Sequence, residues 1–171
     1  MNKAHIPRKT MIIGWREWIS LPELGLSELT AKIDTGARTT ALHATRVRPF
    51  ERDGRAWVRF HIPHASGLHA RDCEALLVDR RPVRNTSGVP EDRYVIQTLL
   101  VLGNRHWRIQ ASLADRKEMK LPIILGRTAI RRHRILVDAG KSFLIGRPTG
   151  KPFKRISSVS AGVAAGTRDK P

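Results

Sequence analysis

Apolar and polar residues alternate along much of this chain with a period of two. In 105–113, Trp107, Ile109, Ala111 and Leu113 fall on one face, and His106, Arg108, Gln110 and Ser112 on the other. In 55–62 the apolar face is Ala56, Val58, Phe60 and Ile62. Such alternation marks strands with one buried side. Further strands are predicted at 12–19, 29–34, 39–47, 74–79, 93–102 and 135–138, separated by Gly, Pro, Asn and Asp turn signals. Gly103 and Asn104 form a hairpin turn between two of them. Residues 126–133 do not alternate and follow Gly126, so they predict one short helix. Many short strands at this spacing imply an all-β domain, closed or sandwiched.

Composition adds bounds to that picture. The chain has 171 residues, of which 40% are hydrophobic and 5% aromatic, so its core rests on Ile, Leu, Val and Ala. No apolar run approaches the ~20 residues of a membrane helix, and no signal-like stretch opens the sequence. Cys73 is the single cysteine, which rules out an internal disulfide and fits a reducing, cytoplasmic setting. Thirty-two Lys and Arg against 15 Asp and Glu give a net charge of +17. That excess suits polyanionic partners: nucleic acid, ribosome, anionic lipid or an acidic polypeptide. From Gly146 onward small, polar and basic residues dominate and too little apolar surface remains to offset ordering entropy. The expected layout is an N-terminal extension at 1–11, a domain at 12–145 and a flexible basic tail at 146–171.

The candidate chemistry lies in 29–42. Leu29, Ala31 and Ile33 share one face of a strand that runs into the turn Asp34-Thr35-Gly36-Ala37. Asp34 is then displayed at the tip of a tight loop, Thr35 can lock that loop through its hydroxyl, and Gly36 allows close backbone approach. On its own the triplet also fits an ordinary turn. A second segment changes the balance: Leu121-Pro122-Ile123-Ile124-Leu125-Gly126-Arg127 is an apolar run that ends in Gly-Arg and enters the predicted helix.

The two segments together resemble the retropepsin-like aspartic peptidases. The closer resemblance is to a bacterial family catalogued as ATP-dependent zinc proteases and associated with ATP-grasp ligases that add glutamate to a ribosomal protein. It is carried by Ile13-Gly14-Trp15-Arg16-Glu17, Ala31 to Leu42, Val83-Arg84-Asn85-Thr86-Ser87-Gly88, and Leu113 through Met119 to Arg127. The resemblance implies a closed retropepsin barrel with one short C-terminal helix and an aspartic endopeptidase activity. Asp34 is the implied catalytic residue, with Thr35, Gly36 and Ala37 as its loop, and Gly126 and Arg127 as the loop's support. Peptide hydrolysis by carboxylates needs two of them sharing a proton. This chain has one Asp-Thr-Gly, so the second Asp34 is expected from a partner subunit in a two-fold homodimer. Retropepsins usually have an aspartate where this chain has Arg38 and related bacterial proteins have a basic residue, so the usual intersubunit ion pair to the helix arginine cannot form in the same way. A flap over the substrate is expected within 61–92, with Ser66-Gly67 and Ser87-Gly88 as hinges.

Other constellations compete. His61, His64, His69 and Cys73 fall within a short span, but their spacing lacks the tight pairing of a zinc site, and no metal or other cofactor is expected. Cys73 is expected to be a buried structural thiol. Ala139-Gly140-Lys141-Ser142 echoes the end of a phosphate loop without its first glycine. The basic clusters at 80–84, 131–134 and 151–155 suit phosphate contacts or a solvated surface equally. No membrane partner is expected, and nucleic acid stays open. Two functional readings follow. One is a homodimeric aspartic endopeptidase acting on acidic or glutamate-modified protein, linked to the ATP-grasp ligase. The other is a non-catalytic basic module docking on RNA, the ribosome or an acidic protein.

Overall fold

A computed structural model describes residues 9–64, 68–84, 90–115 and 120–149. Ten strands carry almost all of it. β1 (Met11–Leu21) turns through a short 3-10 segment, Pro22–Leu24, into β2 (Leu26–Asp34). There follow β3 (Thr40–His43), β4 (Thr45–Arg52), β5 (Arg55–Ile62), β6 (Arg71–Arg84), β7 (Pro90–Leu102) and β8 (Arg105–Ala114). The chain closes with β9 (Ile123–Gly126), the helix α1 (Arg127–Ile130) and β10 (Ile135–Ser142). Among the described residues no helix is long and apolar enough to cross a membrane.

The strands pair in the order β10-β1-β2-β9-β3-β8-β7-β6-β5-β4. A second contact of β1 with β7, through Ile19–Leu102 and Ser20–Val101, closes β1, β2, β9, β3, β8 and β7 into a six-stranded barrel. β10 lies outside that ring, parallel to β1. On the other side β6, β5 and β4 continue from β7 as a chain of antiparallel hairpins.

Alternation explains the interior. Ile13 and Ile19 of β1, Leu29 and Ile33 of β2, Leu42, Ile96, Leu100, Leu113, Ile123 and Leu125 are all buried in one cluster. Each such side chain stabilises the fold by about 1.5–3 kcal/mol relative to exposure. β3 is covered on both sides by its neighbours, so Thr40, Ala41 and Leu42 are buried in succession. Trp107 of β8 donates its indole N–H to the Ala129 carbonyl at 2.8 Å and stacks on the His133 ring, which ties α1 to the barrel.

Two expectations from the alternation need correction. The stretch 39–47 is two strands, parted at Ala44, where the pairing passes from β8 and β9 to β5. Just beyond, Arg46 takes a left-handed φ of 51° in the shifted part of the β4–β5 ladder. Ala56 is exposed, because its partner is Glu51 near the Asp53-Gly54 tip, where the β4–β5 hairpin overhangs the core. The helix is also shorter than predicted, ending at Ile130. The expected hinges at 66–67 and 87–88 lie outside the described residues, as does the expected tail 146–171 from residue 150 on. The first residues of that tail are bound to the domain, Arg147 to Glu28 at 2.5 Å and the Thr149 N–H to the Gly103 carbonyl at 3.4 Å.

Candidate active site

Asp34 is the last residue of β2, opposite Gly126 at the end of the parallel strand β9. β9 is wedged between β2 and β3, so the loop from Asp34 to Thr39 must cross over its end. That crossing allows no side chain beneath it. A Cβ on Gly126 would lie 2.5 Å from the Thr39 carbonyl carbon and oxygen. The glycine is therefore required by close approach rather than by an unusual φ.

The loop is held by hydrogen bonds from both sides. Asp34 Oδ1 accepts from the backbone N–H of Gly36 at 3.1 Å and of Ala37 at 3.0 Å. This side-chain-to-backbone turn is the conformation that Asp favours when followed by small residues. On the far side, α1 begins with unsatisfied N–H groups, as every helix does. Arg127 N–H donates to the Ala37 carbonyl at 2.9 Å and Thr128 N–H to that of Arg38 at 3.2 Å. The Arg127 guanidinium reaches further back, donating to the carbonyls of Gly36 at 3.2 Å and Thr35 at 3.5 Å. Deeper, Gly126 N–H donates to Thr40 Oγ1 at 3.4 Å, and Ser112 Oγ donates to the Thr40 carbonyl at 3.1 Å.

Asp34, Thr35, Gly36, Ala37, Gly126 and Arg127 are thus brought together in one structure. Thr35 enters it through its carbonyl. Sequence reasoning missed Thr40, Ser112 and, above all, Lys32, whose ammonium lies 3.4 Å from Asp34 Oδ2. Period two was the available signal for Lys32: if Ala31 and Ile33 face inward, residues 32 and 34 must share the outer face.

The Asp34 carboxyl is 29% exposed. Its partial burial raises its pKa, but the Ala37 N–H, the Lys32 charge and hydrogen bond, and the Gly36 N–H together outweigh that and leave it below the ordinary aspartate value. It is a stable anion in the single chain, with Oδ1 fixed by the loop and Oδ2 turned to an exposed lysine.

Beside this loop lies a cavity of about 420 Å³ lined by Arg38, Arg81, Gln97, Arg108, Gln110 and Ser112 among others. It adjoins Asp34 through Arg38 and Thr39 without including the carboxylate itself. Arg108 is paired with Glu23 at 2.8 Å, and Arg81 with Asp79 at 2.7 Å and with Gln110. Arg38 is exposed, and its carbonyl serves the helix rather than its guanidinium.

The remaining candidates disperse. His61 pairs with Asp72 at 2.7 Å, while Cys73 is buried with its thiol toward the Leu24 carbonyl. His64 and His69 stand edge to face with ring centroids 6.4 Å apart, and among the described residues no three His, Cys, Asp or Glu side chains are grouped to hold a metal. Residues 139–142 lie within or at the end of β10 rather than in a loop leading to a helix. Of the basic clusters, Arg80 pairs with Asp92, and 151–155 lies outside the described residues.

Residues 12–148 match the RimB-like family, described as "Retropepsin-like aspartic endopeptidase RimB". A protein of Shewanella halifaxensis named "Probable alpha-L-glutamate ligase" is 34% identical over 160 residues, 92% of this chain and 34% of that protein. One of the same name from Parasynechococcus marenigrum is 40% identical over 140 residues, 81% of this chain and 30% of that protein. The chain spans about a third of the length of these curated relatives. A crystal structure of a Legionella pneumophila protein of unknown function is 28% identical, covering 80% of this chain and 99% of that one, with a TM-score of 0.68. The chain belongs to the RimB-like family of retropepsin-like aspartic endopeptidases.

Proposed function

We propose that this member of the family cleaves peptide bonds in acidic, glutamate-bearing protein chains. It does so as a two-fold homodimer whose two Asp34 carboxylates share one proton around a water. The observation that carries this reading is the disposition of Asp34 itself. One oxygen is pinned by two loop N–H groups and the other faces out of the barrel, toward a half-exposed lysine. A single carboxylate so placed can take a proton but has none to give. Among the described residues several other acids are engaged elsewhere, Glu23 with Arg108, Glu74 with Arg52 and Arg59, and Asp138 with Lys141. The sequence holds one Asp-Thr-Gly, which supports Asp34 of a second subunit as the complementary carboxylate.

In that arrangement the ionised Asp34 takes a proton from water as its oxygen bonds to the scissile carbonyl carbon. The protonated Asp34 gives its proton to the carbonyl oxygen. When the tetrahedral intermediate collapses, the C–N bond breaks and the proton just taken up passes to the leaving amine. The carbonyl proton returns, and the pair again holds one proton. Its titration belongs to the pair, so the lowered pKa of the single chain describes the subunit before pairing.

The charge of +17 and the relatives bearing the glutamate ligase name support an acidic substrate and a functional link to an ATP-grasp ligase. Cys73, the single cysteine, is buried and in no disulfide, which is consistent with work in the cytoplasm. The test uses the purified chain and an unstructured acidic polypeptide, with Asp34→Asn as the matched variant. Cleavage should fall about 10²–10⁴-fold in the variant. Equal cleavage by both would remove the mechanism.

A further inference from the structure

We propose that Lys32 is the specificity-determining residue of this site. Its ammonium takes the side-chain carboxylate of a substrate glutamate or aspartate that adjoins the scissile bond. The inference rests on the endopeptidase reading and adds to it the residue that reads the substrate.

Lys32 and Asp34 lie two apart on β2, so their side chains leave the same face of the barrel. Lys32 Nζ stands 3.4 Å from Asp34 Oδ2, the oxygen that the loop leaves untied, and the lysine side chain is 48% exposed. Anything bonded to Oδ2 during catalysis lies within reach of this ammonium. The strands on either side do not neutralise it. Across β1 its direct partner is Arg16, a like charge, and across β9 it is Ile124, which carries none. The Arg16 guanidinium is held at β10 by Ser142 Oγ at 3.1 Å and lies over the Trp15 and Phe143 rings. Two cations placed opposite one another on adjacent strands repel. The carboxylate at hand to offset them is Asp34.

That makes Asp34 and an acidic substrate competitors for one cation. While Lys32 holds Oδ2, it opposes the protonation that a shared-proton pair requires. A substrate carboxylate drawing Lys32 toward itself relieves that opposition at the moment the peptide is in place. A glutamine of the same shape cannot do so. Discrimination therefore belongs in the reaction as well as in binding.

The experiment uses the full chain and short unstructured peptides carrying a central Glu-Glu, Gln-Gln or Lys-Lys in an otherwise neutral frame. Cleavage is followed with wild type, Lys32→Met, Lys32→Arg and Lys32→Glu. Binding is measured separately by fluorescence anisotropy on Asp34→Asn, with and without Lys32→Met, so that no turnover is needed. We expect Glu-Glu to be favoured over Gln-Gln about tenfold in both readouts, the value of one charged hydrogen bond. Lys32→Arg should keep the preference, Lys32→Met should level it, and Lys32→Glu should turn it toward Lys-Lys. A Glu-to-Gln binding ratio that Lys32→Met leaves unchanged overturns the proposal, as does the lack of any such ratio. If the ratio collapses with Lys32→Met while no peptide is cut, the carboxylate site stands and the endopeptidase reading falls.

Discussion

Gly126 meets Thr39 backbone to main chain, with no room for even a methyl group between them. Gly126→Ala would press its Cβ against the Thr39 carbonyl at 2.5 Å, and backbone cannot swing aside as a flexible side chain can. The substitution should cost about 1–3 kcal/mol as overpacking and displace the Asp34 loop with it. Urea unfolding reads the first effect and peptide cleavage the second. An alanine variant of wild-type stability and activity would contradict this packing.

Arg127 is exposed, and its guanidinium touches the loop only through the carbonyls of Thr35 and Gly36. Replacing it by leucine leaves the backbone bonds to Ala37 and Arg38 intact. Stability should change by only about 0.5 kcal/mol, whereas kcat/KM should fall about 10–100-fold through misplacement of Asp34. A thermal melt beside a cleavage assay separates the two effects. A large drop in Tm with unchanged turnover would assign Arg127 to the fold alone.

Glu17 is wholly buried, and its Oε1 accepts from the backbone N–H of Gly14 at 2.6 Å and of Leu144 at 2.8 Å. It thereby joins the start of β1 to the segment after β10. Glu17→Ala removes both acceptors and should destabilise the chain by about 2–3 kcal/mol. Glu17→Gln keeps a carbonyl oxygen there and should cost clearly less. Denaturant midpoints for the two variants give the comparison, and equal losses would refute it.

The depressed pKa of Asp34 has a definite sign in stability. A carboxyl whose pKa is lower folded than unfolded stabilises the fold above its unfolded value, here near 3.8, and that contribution is lost as pH falls through the folded value. Because Asp34 is partly exposed, the effect should stay below about 1 kcal/mol. Wild type should thus lose stability relative to Asp34→Asn as pH drops below about 4. Parallel stability curves across that range would count against the loop bonds and Lys32 as its stabilisers.

Attraction of an acidic substrate by a chain of net charge +17 must weaken with salt. The Debye length shrinks from ~10 Å at 0.1 M to ~3 Å at 1 M. Cleavage of an acidic peptide should slow across that range far more than cleavage of a neutral peptide of equal length. Matching salt profiles would detach the charge from the active site.

The strands whose burial alternates, such as β2 and β5, were legible because one face of each is covered and the other is not. β5 and β8 begin where alternation places them, and the Gly103 turn has the positive φ that a hairpin needs. Alternation failed where burial ceases to follow it. Ala56 sits beyond the core, and Arg46 breaks the ladder with a backbone angle that its side chain does not announce. The Asp-Thr-Gly loop and its Gly-Arg support were readable as two segments, since each is local. Their mutual bonds were not, because Arg127 and Gly36 lie 91 residues apart. Glu17 shows the same limit. It belongs to a recognisable stretch, yet its role depends on Leu144, 127 positions away. Lys32 was readable from periodicity alone, since it shares the outer face of β2 with Asp34.

β1 draws its neighbours from three separate parts of the chain: β2 directly after it, Val101 and Leu102 of β7, and residues 135–142 of β10. During synthesis its outer edge therefore stays open until nearly the whole domain has left the ribosome. At ~5–20 residues per second that wait lasts many seconds. An uncovered strand edge invites pairing with other chains for all of that time. Within this domain β1 is the strand whose edge waits longest for its partner, and β10 is the strand that ends the exposure.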